Sequence, residues 1–163
     1  NLINCFNQVK NNPKKVINTL KKIVTEFNSI ETNTLGLRGA PEINEGNHNS
    51  TREHYYYWTR NKFNTCNNDT IDSAAYFIFL NKTGFRGMYR EGNDGKFNIP
   101  YGYKDKDNIP GILDEKTIMN VSKLIHNVTF ICSSFEESLN NEYEIITPVR
   151  SLGYSFFASY KRL

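Results

Sequence analysis

Apolar residues near the start of the chain recur every three or four positions, which is the spacing of one face of an α-helix. Asn12-Pro13 interrupts the pattern, and these residue types suit the cap and the first turn of a new helix. The pattern therefore predicts two helices within residues 1–27. Their apolar faces are Leu2, Ile3, Phe6 and Val9 in the first helix and Val16, Ile17, Leu20, Ile23, Val24 and Phe27 in the second.

Two further stretches predict helices. Residues 74–80 form an unbroken apolar run, too continuous for an exposed face, and Asp69-Thr70 precedes it as a candidate N-cap, so we predict a buried helix. Residues 55–64 combine consecutive tyrosines and a tryptophan with basic residues. We expect most of these rings in the core, and the alternative is that they line a nucleic-acid channel.

The polar stretch 31–53 separates the predicted helices and shows no period, so we expect a loop there. His48 and His54 lie in or beside this stretch. A metal site would need partner ligands at a suitable spacing, and the sequence offers none. We therefore expect both histidines to be solvated.

The last part of the chain predicts one helix followed by strands. Asp114 suits the cap of a helix that runs through Ile125, and residues 128–132 are typical of a buried strand. Residues 143–151 and 154–160 alternate between apolar and polar positions, which predicts two strands joined by a short link. The apolar face expected of the helix is Ile118, Val121, Leu124 and Ile125.

The stretch after the apolar run combines basic and aromatic residues with turn signals. Asn93-Asp94-Gly95 is a strong turn signal between two short runs, 87–91 and 96–99, which predicts a hairpin presented from the end of the preceding helix. Arginine beside aromatic rings suits the DNA major groove, where guanidinium groups bond guanine and flat or apolar side chains contact bases. The alternative is an ordinary surface hairpin with solvated charges. The side chains concerned are Lys82, Phe85, Arg86, Met88, Tyr89 and Arg90.

Composition limits the possible functions without selecting one. The chain of 163 residues is long enough for one domain with a core, or for a sizeable part of a larger one. Its net charge of +3 permits nucleic-acid binding, and any basic footprint must be local. The 3 cysteines show no disulfide or zinc-ligand spacing, so we expect a reducing compartment. The sequence given shows neither a signal peptide nor a membrane-length apolar stretch, and we expect no membrane partner.

Two linked strings carry a resemblance to a known family. Residues 80–90, LNKTGFRGMYR, and residues 95–102, GKFNIPYG, closely resemble the target-recognition motif of Dam-type DNA adenine-N6 methyltransferases. In that family the pattern runs roughly Leu-Asn-Arg/Lys-x-x-Phe/Tyr-Asn-Gly-Leu-x-Arg and then Gly-x-Phe-Asn-Val-Pro-Phe-Gly. The order and the spacing of the two strings agree with the family.

The resemblance implies a fold and a division of the chain. It implies an α/β protein that forms part of a Rossmann-like S-adenosylmethionine-dependent methyltransferase fold, with a helical target-recognition domain that carries a β-hairpin. On this basis residues 1–30 are helices of the methyltransferase core and residues 31–127 are the target-recognition domain, with its hairpin at 84–102. Residues 128–163 are then core strands.

The resemblance also implies roles for individual side chains. Arg90 would read a guanine edge, and Phe85 would stack into the duplex near the extruded adenine. Met88 and Pro100 would supply apolar base contacts. Arg86 departs from the family, which usually has asparagine at this position, so the recognised DNA sequence is left open.

Further candidate DNA contacts lie on either side of these residues. Lys104 stands where some members of the family carry an aromatic contact. Tyr56 and Phe63 match positions of a helix that packs under the recognition hairpin, which places them in the core. Arg60 and Lys62 on the same helix are candidate phosphate contacts, and Lys82 belongs to the local basic footprint.

Two motifs of the family have no counterpart in this sequence. The Asp/Asn-Pro-Pro-Tyr/Phe loop bonds the adenine amino group, and the Phe-x-Gly-x-Gly loop cradles the cofactor; neither string occurs. No residue is therefore assigned to catalysis or to binding S-adenosylmethionine. We expect the sequence to hold the recognition region and flanking core, with the acidic residue that holds the cofactor ribose lying before Asn1.

The leading hypothesis is a site-specific DNA adenine-N6 methyltransferase. In its intact form it would transfer a methyl group from S-adenosylmethionine to a flipped adenine in double-stranded DNA. The alternative is a catalytically degenerate descendant that acts as a DNA-binding or structural interaction protein. A restriction nuclease with the same hairpin ranks last, because the sequence shows no Pro-Asp-x-Asp/Glu-x-Lys pattern. We expect the protein in the cytoplasm or another reducing compartment that contains DNA.

Overall fold

The computed structural model describes residues 1–34, 42–103 and 111–133, and the backbone of residues 144–151 and 154–160. This part of the chain contains both helices and strands, and helices predominate. None of these helices is long and apolar enough to cross a lipid bilayer. The domain boundaries implied by the resemblance stay a prediction. The elements are α1 (Leu2–Asn11), α2 (Pro13–Ser29), α3 (Arg52–Thr65), α4 (Ile71–Thr83), a 3-10 turn (Phe85–Gly87), α5 (Glu115–Leu124), β1 (Thr129–Ile131), β2 (Glu144–Ser151) and β3 (Tyr154–Tyr160).

The first two helices meet at Asn12 and Pro13, as the sequence predicts. Pro13 occupies the first turn of α2, where its missing N–H costs nothing because that group would have no partner inside the helix. Asn12 lies at the cap position, but its side chain donates from Nδ2 to Oε1 of Gln8 at 3.0 Å instead of accepting a bond from α2. Its backbone N–H bonds the carbonyl oxygen of Gln8 at 2.8 Å, which ends α1.

Helix α4 lies at the centre of the helical part, because it packs against α1, α2 and α3. The prediction of a buried run over 74–80 is confirmed for Ala74, Ala75, Phe79 and Leu80, whereas Tyr76, Phe77 and Ile78 are partly buried. Phe79 meets Phe27 of α2 edge-on, with ring centroids 5.2 Å apart. Such a pair contributes about 0.5–1.5 kcal/mol beyond the burial of the two rings. Tyr56 and Phe63 of α3 are also buried, which confirms their predicted place in the core.

Side-chain caps fix the starts of α4 and α5. Oγ1 of Thr70 accepts the N–H of Ser73 at 3.1 Å, and Oδ1 of Asp114 accepts the N–H of Thr117 at 2.9 Å. The Thr117 hydroxyl also donates to the Asp114 carboxylate, and these bonds lower the pKa of that carboxyl below its usual value. Both caps are those that the sequence predicts, and the Thr70 cap contributes about 1 kcal/mol to helix stability.

The tyrosine-rich helix α3 begins at Arg52, because Thr51 caps it. Oγ1 of Thr51 accepts the N–H of His54 at 3.0 Å and lies 2.6 Å from Nδ1 of the same histidine. His54 is therefore buried in the first turn, and the expectation that it is solvated is wrong. His48 is half-buried, because its ring stacks on Trp58 with centroids 4.6 Å apart.

Residues 31–34 and 42–51 contain neither helix nor strand, in agreement with the loop predicted over 31–53. The carbonyl oxygens of Thr32 and Asn33 accept the first two N–H groups of α3, both at 2.9 Å. These groups have no partner within a helix. The segment after α2 therefore joins the start of α3 directly.

The strands pair antiparallel in the order β1, β3, β2, and no parallel pair occurs among the described strands. β2 and β3 correspond to the alternating segments near the end of the chain, so their prediction is confirmed for the backbone. The prediction of a buried strand over residues 128–132 is wrong in part, because Thr129 of β1 is exposed and Phe130 is half-buried. β1 lies at the edge of the sheet, where Phe130 stacks on Phe6 of α1 with centroids 4.9 Å apart.

Helix α5 packs against α1 and α2, with Ile118, Val121 and Ile125 toward the core. Leu124 was expected on the same face, but 80% of its surface is exposed, so this part of the prediction is wrong. Successive residues of an α-helix are rotated by about 100°. Leu124 therefore projects about 100° away from Ile125 and off the buried stripe.

Candidate nucleic-acid interface

Residues 84–101 leave the end of α4 and return to the same place, and we call them the 84–101 loop. Gly84 and Tyr101 form an antiparallel bridge at its base. The N–H of Phe85 donates to the carbonyl oxygen of Pro100 at 2.9 Å. The two ends of the loop are therefore bonded to each other where it leaves the helix.

Glycine is needed at both ends of the loop, because a side chain at either position would collide with a backbone carbonyl oxygen. A Cβ on Gly84 would lie 2.6 Å from the carbonyl oxygen of Leu80, and a Cβ on Gly102 would lie 2.7 Å from the carbonyl oxygen of Gly84. Both distances are shorter than 3.0 Å, and Cβ atoms in proteins essentially never come that close to another heavy atom. The close approach lets the N–H of Gly102 bond the carbonyl oxygen of Thr83 at 3.0 Å.

One face of α3 holds the returning arm of the loop. The hydroxyl of Tyr56 donates to the carbonyl oxygen of Ile99 at 2.9 Å, and Nη1 of Arg60 donates to the same oxygen at 3.2 Å. The Asn64 side chain makes two bonds to the backbone of Phe97, donating from Nδ2 to its carbonyl oxygen at 3.0 Å and accepting its N–H at Oδ1, 2.9 Å away. The three α3 residues are spaced by four, so they lie on one side of the helix.

The tyrosine hydroxyls around the base are fixed as donors. Burial raises the pKa of Tyr56 and of Tyr101 well above the usual range for tyrosine, so both stay protonated at neutral pH. Tyr56 donates to Ile99 as described, and the hydroxyl of Tyr101 donates to Oδ1 of Asn33 at 2.7 Å. Asn33 in turn donates from Nδ2 to the carbonyl oxygen of Tyr103 at 2.5 Å. These bonds attach the base of the loop to the segment after α2.

The far end of the loop turns at Asn93-Asp94-Gly95, as the sequence predicts. Gly95, the last residue of the turn, has a φ of 71°, a conformation that favours glycine. The two strands predicted over 87–91 and 96–99 are not formed, and an isolated bridge between Glu91 and Phe97 takes their place. The predicted hairpin is therefore a loop closed by single bridges.

A tight turn at Phe85–Gly87 explains why the outgoing arm is not a strand. Arg86 and Gly87 have φ values of 56° and 63°, in the left-handed region, which does not continue a strand. Nδ2 of Asn81 in α4 donates to the carbonyl oxygen of Gly87 at 2.8 Å. The end of the helix therefore holds this turn in place.

Most of the predicted DNA contacts within the described residues are exposed. Phe85 is 40% exposed, and the guanidinium carbon of Arg86 lies 5.1 Å from the centre of its ring, a cation–π distance. Met88 is half-buried and packs against the core under the loop. The structure therefore places an exposed apolar ring and one cation side by side at the start of the loop. The exposed predicted contacts are Lys82, Phe85, Arg86, Arg90 and Pro100.

Arg90 is exposed, but its guanidinium is oriented. Its Nε donates to Oδ1 of Asn98 at 2.7 Å, and the backbone N–H of Asn98 donates to the carbonyl oxygen of Arg90 at 3.1 Å. The bond to Nε leaves the two terminal nitrogens of the guanidinium as a fork. Such a fork fits the paired acceptors on the edge of guanine.

Arg60, one of the predicted phosphate contacts of α3, is half-buried. Besides its bond to Ile99, its guanidinium carbon lies 4.5 Å from the centre of the Tyr57 ring. The structure therefore gives Arg60 a role in holding the loop, and its contact with phosphate stays a prediction. Lys104, the other predicted contact near the loop, lies outside the described residues.

Tyr89 joins the loop to the first helix. Nδ2 of Asn1 donates to the Tyr89 hydroxyl at 3.1 Å, and that hydroxyl bonds the Glu91 carboxylate. Burial, together with the bond to Glu91, raises the pKa of Tyr89 above its usual range, so the hydroxyl stays protonated. Its ring lies between those of Phe77 and Phe97, with centroids 5.6 and 5.5 Å away.

The sequence did not single out Asn64 or Asn98, although both shape the loop. For Asn64 a signal was available, because its spacing from Tyr56 and Arg60 places all three on one helical face. For Asn98 the resemblance offered one, because Asn98 is the asparagine of the string GKFNIPYG. Nothing in the sequence linked it to Arg90, which lies 8 residues away across an irregular turn.

Side chains of the metal-ligand types and thiols also occur within the described residues. No group of three or more His, Cys, Asp or Glu side chains within residues 1–34, 42–103 and 111–133 could hold a metal ion. The cysteines are free thiols, and burial raises the pKa of Cys5 to about 12. A thiol of that pKa is not a nucleophile at neutral pH. The arrangement at the 84–101 loop is suited to binding.

Comparison with known proteins places these observations in a family context. Residues 1–145 match the sequence profile described as D12 class N6 adenine-specific DNA methyltransferase. The chain is 37% identical over 138 residues to the type II methyltransferase M.MjaIII of Methanocaldococcus jannaschii, a match that covers 83% of this chain and 40% of that protein.

Two shorter matches have related names. The retron Ec67 DNA adenine methylase of Escherichia coli is 40% identical over 91 residues, which cover 55% of this chain and 30% of the methylase. A DNA adenine methylase of Salmonella typhimurium is 32% identical over 84 residues, which cover 52% of this chain and 28% of the methylase. The chain thus spans 40% or less of the length of these relatives.

Proposed function

Because the chain belongs to the family of D12 class N6 adenine-specific DNA methyltransferases, we propose that it provides the DNA-recognition part of such an enzyme. In this proposal the protein methylates N6 of an adenine that is flipped out of double-stranded DNA. The 84–101 loop contacts the duplex beside that adenine. The helices and strands then belong to a Rossmann-like methyltransferase fold in which residues 31–127 are the target-recognition domain.

The observation that carries the proposal is that the 84–101 loop is bonded at its base and exposes Phe85, Arg86 and Arg90. Its ends are bonded to each other, and Tyr56 and Asn64 of α3 hold its returning arm. A preorganised loop loses little conformational freedom on binding, so more of its contact energy appears as affinity. Arg90 projects a guanidinium fork, and Phe85 projects a ring that could enter the base stack.

The remaining contacts follow from position and chemistry. Lys82 and Arg86 are exposed cations near the base of the loop, where they would contact phosphates. Pro100 is exposed and Met88 is partly exposed, so both offer apolar surface to bases. Phosphate contacts would fix the register of the protein on the duplex, and Arg90 would supply the sequence preference.

S-adenosylmethionine supplies the methyl group in this family-based proposal. The Phe-x-Gly-x-Gly and Asp/Asn-Pro-Pro-Tyr/Phe strings do not occur in the sequence given. No residue of the sequence given is therefore assigned to this cofactor.

A second candidate is a relative that binds DNA without methylating it. Both candidates use the 84–101 loop in the same way, so DNA binding is common to them. Methyl transfer distinguishes them, because only the first requires it.

The test combines a binding measurement with an activity measurement on the purified protein. Labelled S-adenosylmethionine and adenine-containing duplexes report methyl transfer, and fluorescence anisotropy reports binding. We expect Arg90→Ala to weaken binding to the preferred duplex by about 1–3 kcal/mol and to relax the choice at one base pair. Lys96→Ala is the matched control, because Lys96 is an exposed cation on the same loop that pairs with Asp94 at 3.9 Å.

The outcomes separate the candidates. The activity measurement uses the protein purified at the full length that its gene encodes. Methyl transfer to adenine together with sequence-dependent binding then supports the enzyme, and sequence-dependent binding without transfer supports the second candidate. If the wild-type protein binds all duplexes equally and Arg90→Ala changes nothing, the proposed role of the loop is wrong.

A further inference from the structure

The Arg90 guanidinium is held by an uncharged partner. Its Nε lies 2.7 Å from Oδ1 of Asn98, and only the oxygen of that amide can accept the bond, so chemistry fixes the orientation of the amide. The backbone N–H of Asn98 also bonds the carbonyl oxygen of Arg90 at 3.1 Å. The two residues are therefore linked through both backbone and side chain across the loop.

Asn98 is itself fixed on both sides. The residue before it, Phe97, is bonded at its N–H and its carbonyl oxygen by Asn64, and the residue after it, Ile99, is bonded at its carbonyl oxygen by Tyr56. The Asn98 amide also packs closely on the backbone of Gly92, where an added Cβ would lie only 3.2 Å from Nδ2. The position of Arg90 is thus set by α3 through the returning arm.

The neutrality of Asn98 matters because carboxylates are nearby in the sequence. Glu91 and Asp94 belong to the same loop, and Asp94 pairs with Lys96 at 3.9 Å. A carboxylate on Nε would compete with a base for the guanidinium and would cancel its charge toward phosphates. An amide oxygen orients the guanidinium and leaves the positive charge intact.

From this geometry we propose that Asn98 is a positioning residue that sets the direction of the Arg90 fork and thereby the choice of one base pair. The inference rests on the DNA-binding function proposed above. An arginine side chain without this bond samples several rotamers and must be ordered at the moment of binding. The loss of Asn98 should therefore reduce discrimination at the base pair that Arg90 reads and leave other positions unchanged.

The experiment measures sequence preference for four proteins: wild type, Arg90→Ala, Asn98→Ala and the double variant. The probe is a pool of short DNA duplexes with a randomised central block, and the bound fraction is sequenced. We expect Asn98→Ala to lower discrimination at the base pair affected by Arg90→Ala by roughly three- to tenfold. In the Arg90→Ala background it should have no further effect on discrimination, because the group that it positions is gone.

Asn98→Asp gives an independent readout. It keeps an acceptor for Nε and adds a negative charge, so we expect discrimination to be retained in part while overall affinity falls and the salt dependence becomes weaker. A purely structural role for Asn98 would not produce this separation. Thermal unfolding of each variant identifies any general loss of folding.

Failure of the inference is distinguishable from failure of the proposed function. If wild type discriminates and Arg90→Ala does not, but Asn98→Ala behaves as wild type, Asn98 is not a positioning residue. The same conclusion follows if the effects of the two single variants simply add in the double variant. If wild type shows no preference in the pool, the DNA-reading function itself is overturned.

Discussion

Arg86 occupies a backbone conformation that suits few side chains. Its φ of 56° and ψ of 18° lie in the left-handed region, which disfavours residues with a Cβ and is best tolerated by glycine and asparagine. The Dam-type family usually has asparagine at the matching position, and the backbone gives a physical reason for that choice. Arg86 therefore adds a cation near Phe85 at some cost in stability.

We expect Arg86→Asn to raise the free energy of unfolding by roughly 0.5–1 kcal/mol, because asparagine tolerates this conformation better. Arg86→Ala is the matched control. It removes the same charge and the same cation–π contact, but alanine does not tolerate the left-handed conformation as asparagine does. Urea denaturation measures both variants. Equal stability of the two variants would contradict the argument from backbone conformation.

At Gly102 a single methyl group should disturb the base of the loop. An added Cβ would meet the carbonyl oxygen of Gly84 at 2.7 Å, so we expect Gly102→Ala to lower stability by about 1–3 kcal/mol. In Gly111→Ala the new Cβ meets nothing within 4 Å, and we expect a change within about 0.5 kcal/mol. Thermal or urea unfolding compares the two, and a similar loss in both would show that contact at the base is not the cause.

Among the elements, α3 has the largest influence on the candidate interface. It is part of the core through Tyr56 and Phe63, and it holds the returning arm of the 84–101 loop through Tyr56, Arg60 and Asn64. A helix that is fixed by its own burial can fix a loop without extra ordering cost. This explains how a loop with isolated bridges keeps a defined shape.

We expect Asn64→Ala to remove two bonds to Phe97 and to lower the free energy of unfolding by about 1–3 kcal/mol. The same variant should weaken DNA binding, although Asn64 is not among the predicted DNA contacts. Asn61→Ala on the exposed side of α3 is the control and should change stability by less than about 0.5 kcal/mol. Denaturation and anisotropy together make the test, and unchanged DNA affinity in Asn64→Ala would show that α3 does not shape the interface.

For the whole molecule, charge is modest and its placement matters more than its sum. The net charge is +3, with 20 basic and 17 acidic residues. A chain of this kind has little general attraction for a polyanion. Any strong salt dependence of DNA binding must therefore come from a local group of cations.

We expect Lys82→Ala to weaken binding to all duplexes alike and to reduce the slope of log affinity against log salt by about 1, because one phosphate contact is lost. Lys116→Ala is the matched control, because it removes the same charge from an exposed position on α5. This helix packs against α1 and α2, so we expect the slope to stay unchanged. Titrations at several salt concentrations provide the slopes. Equal slopes for the two variants would mean that Lys82 does not contact phosphate.

The sequence by itself determined the local elements and the family. Helix positions, the caps at Thr70 and Asp114 and the turn at Asn93-Asp94-Gly95 follow from periodicity and from the preferences of a few neighbouring residues. The two linked strings over 80–90 and 95–102 were enough to indicate the family, which the comparisons confirm.

Only the tertiary structure decided which side chains meet. His54 is buried and Leu124 is exposed because helix starts and helix rotation, which a rough apolar pattern does not fix, determine what faces the core. The bonds from Asn64 to Phe97 and from Asn98 to Arg90 join residues that are distant in sequence or separated by an irregular turn. Such contacts depend on how the chain closes on itself, because a hydrogen bond needs its two atoms within about 3 Å and local propensity does not specify that distance.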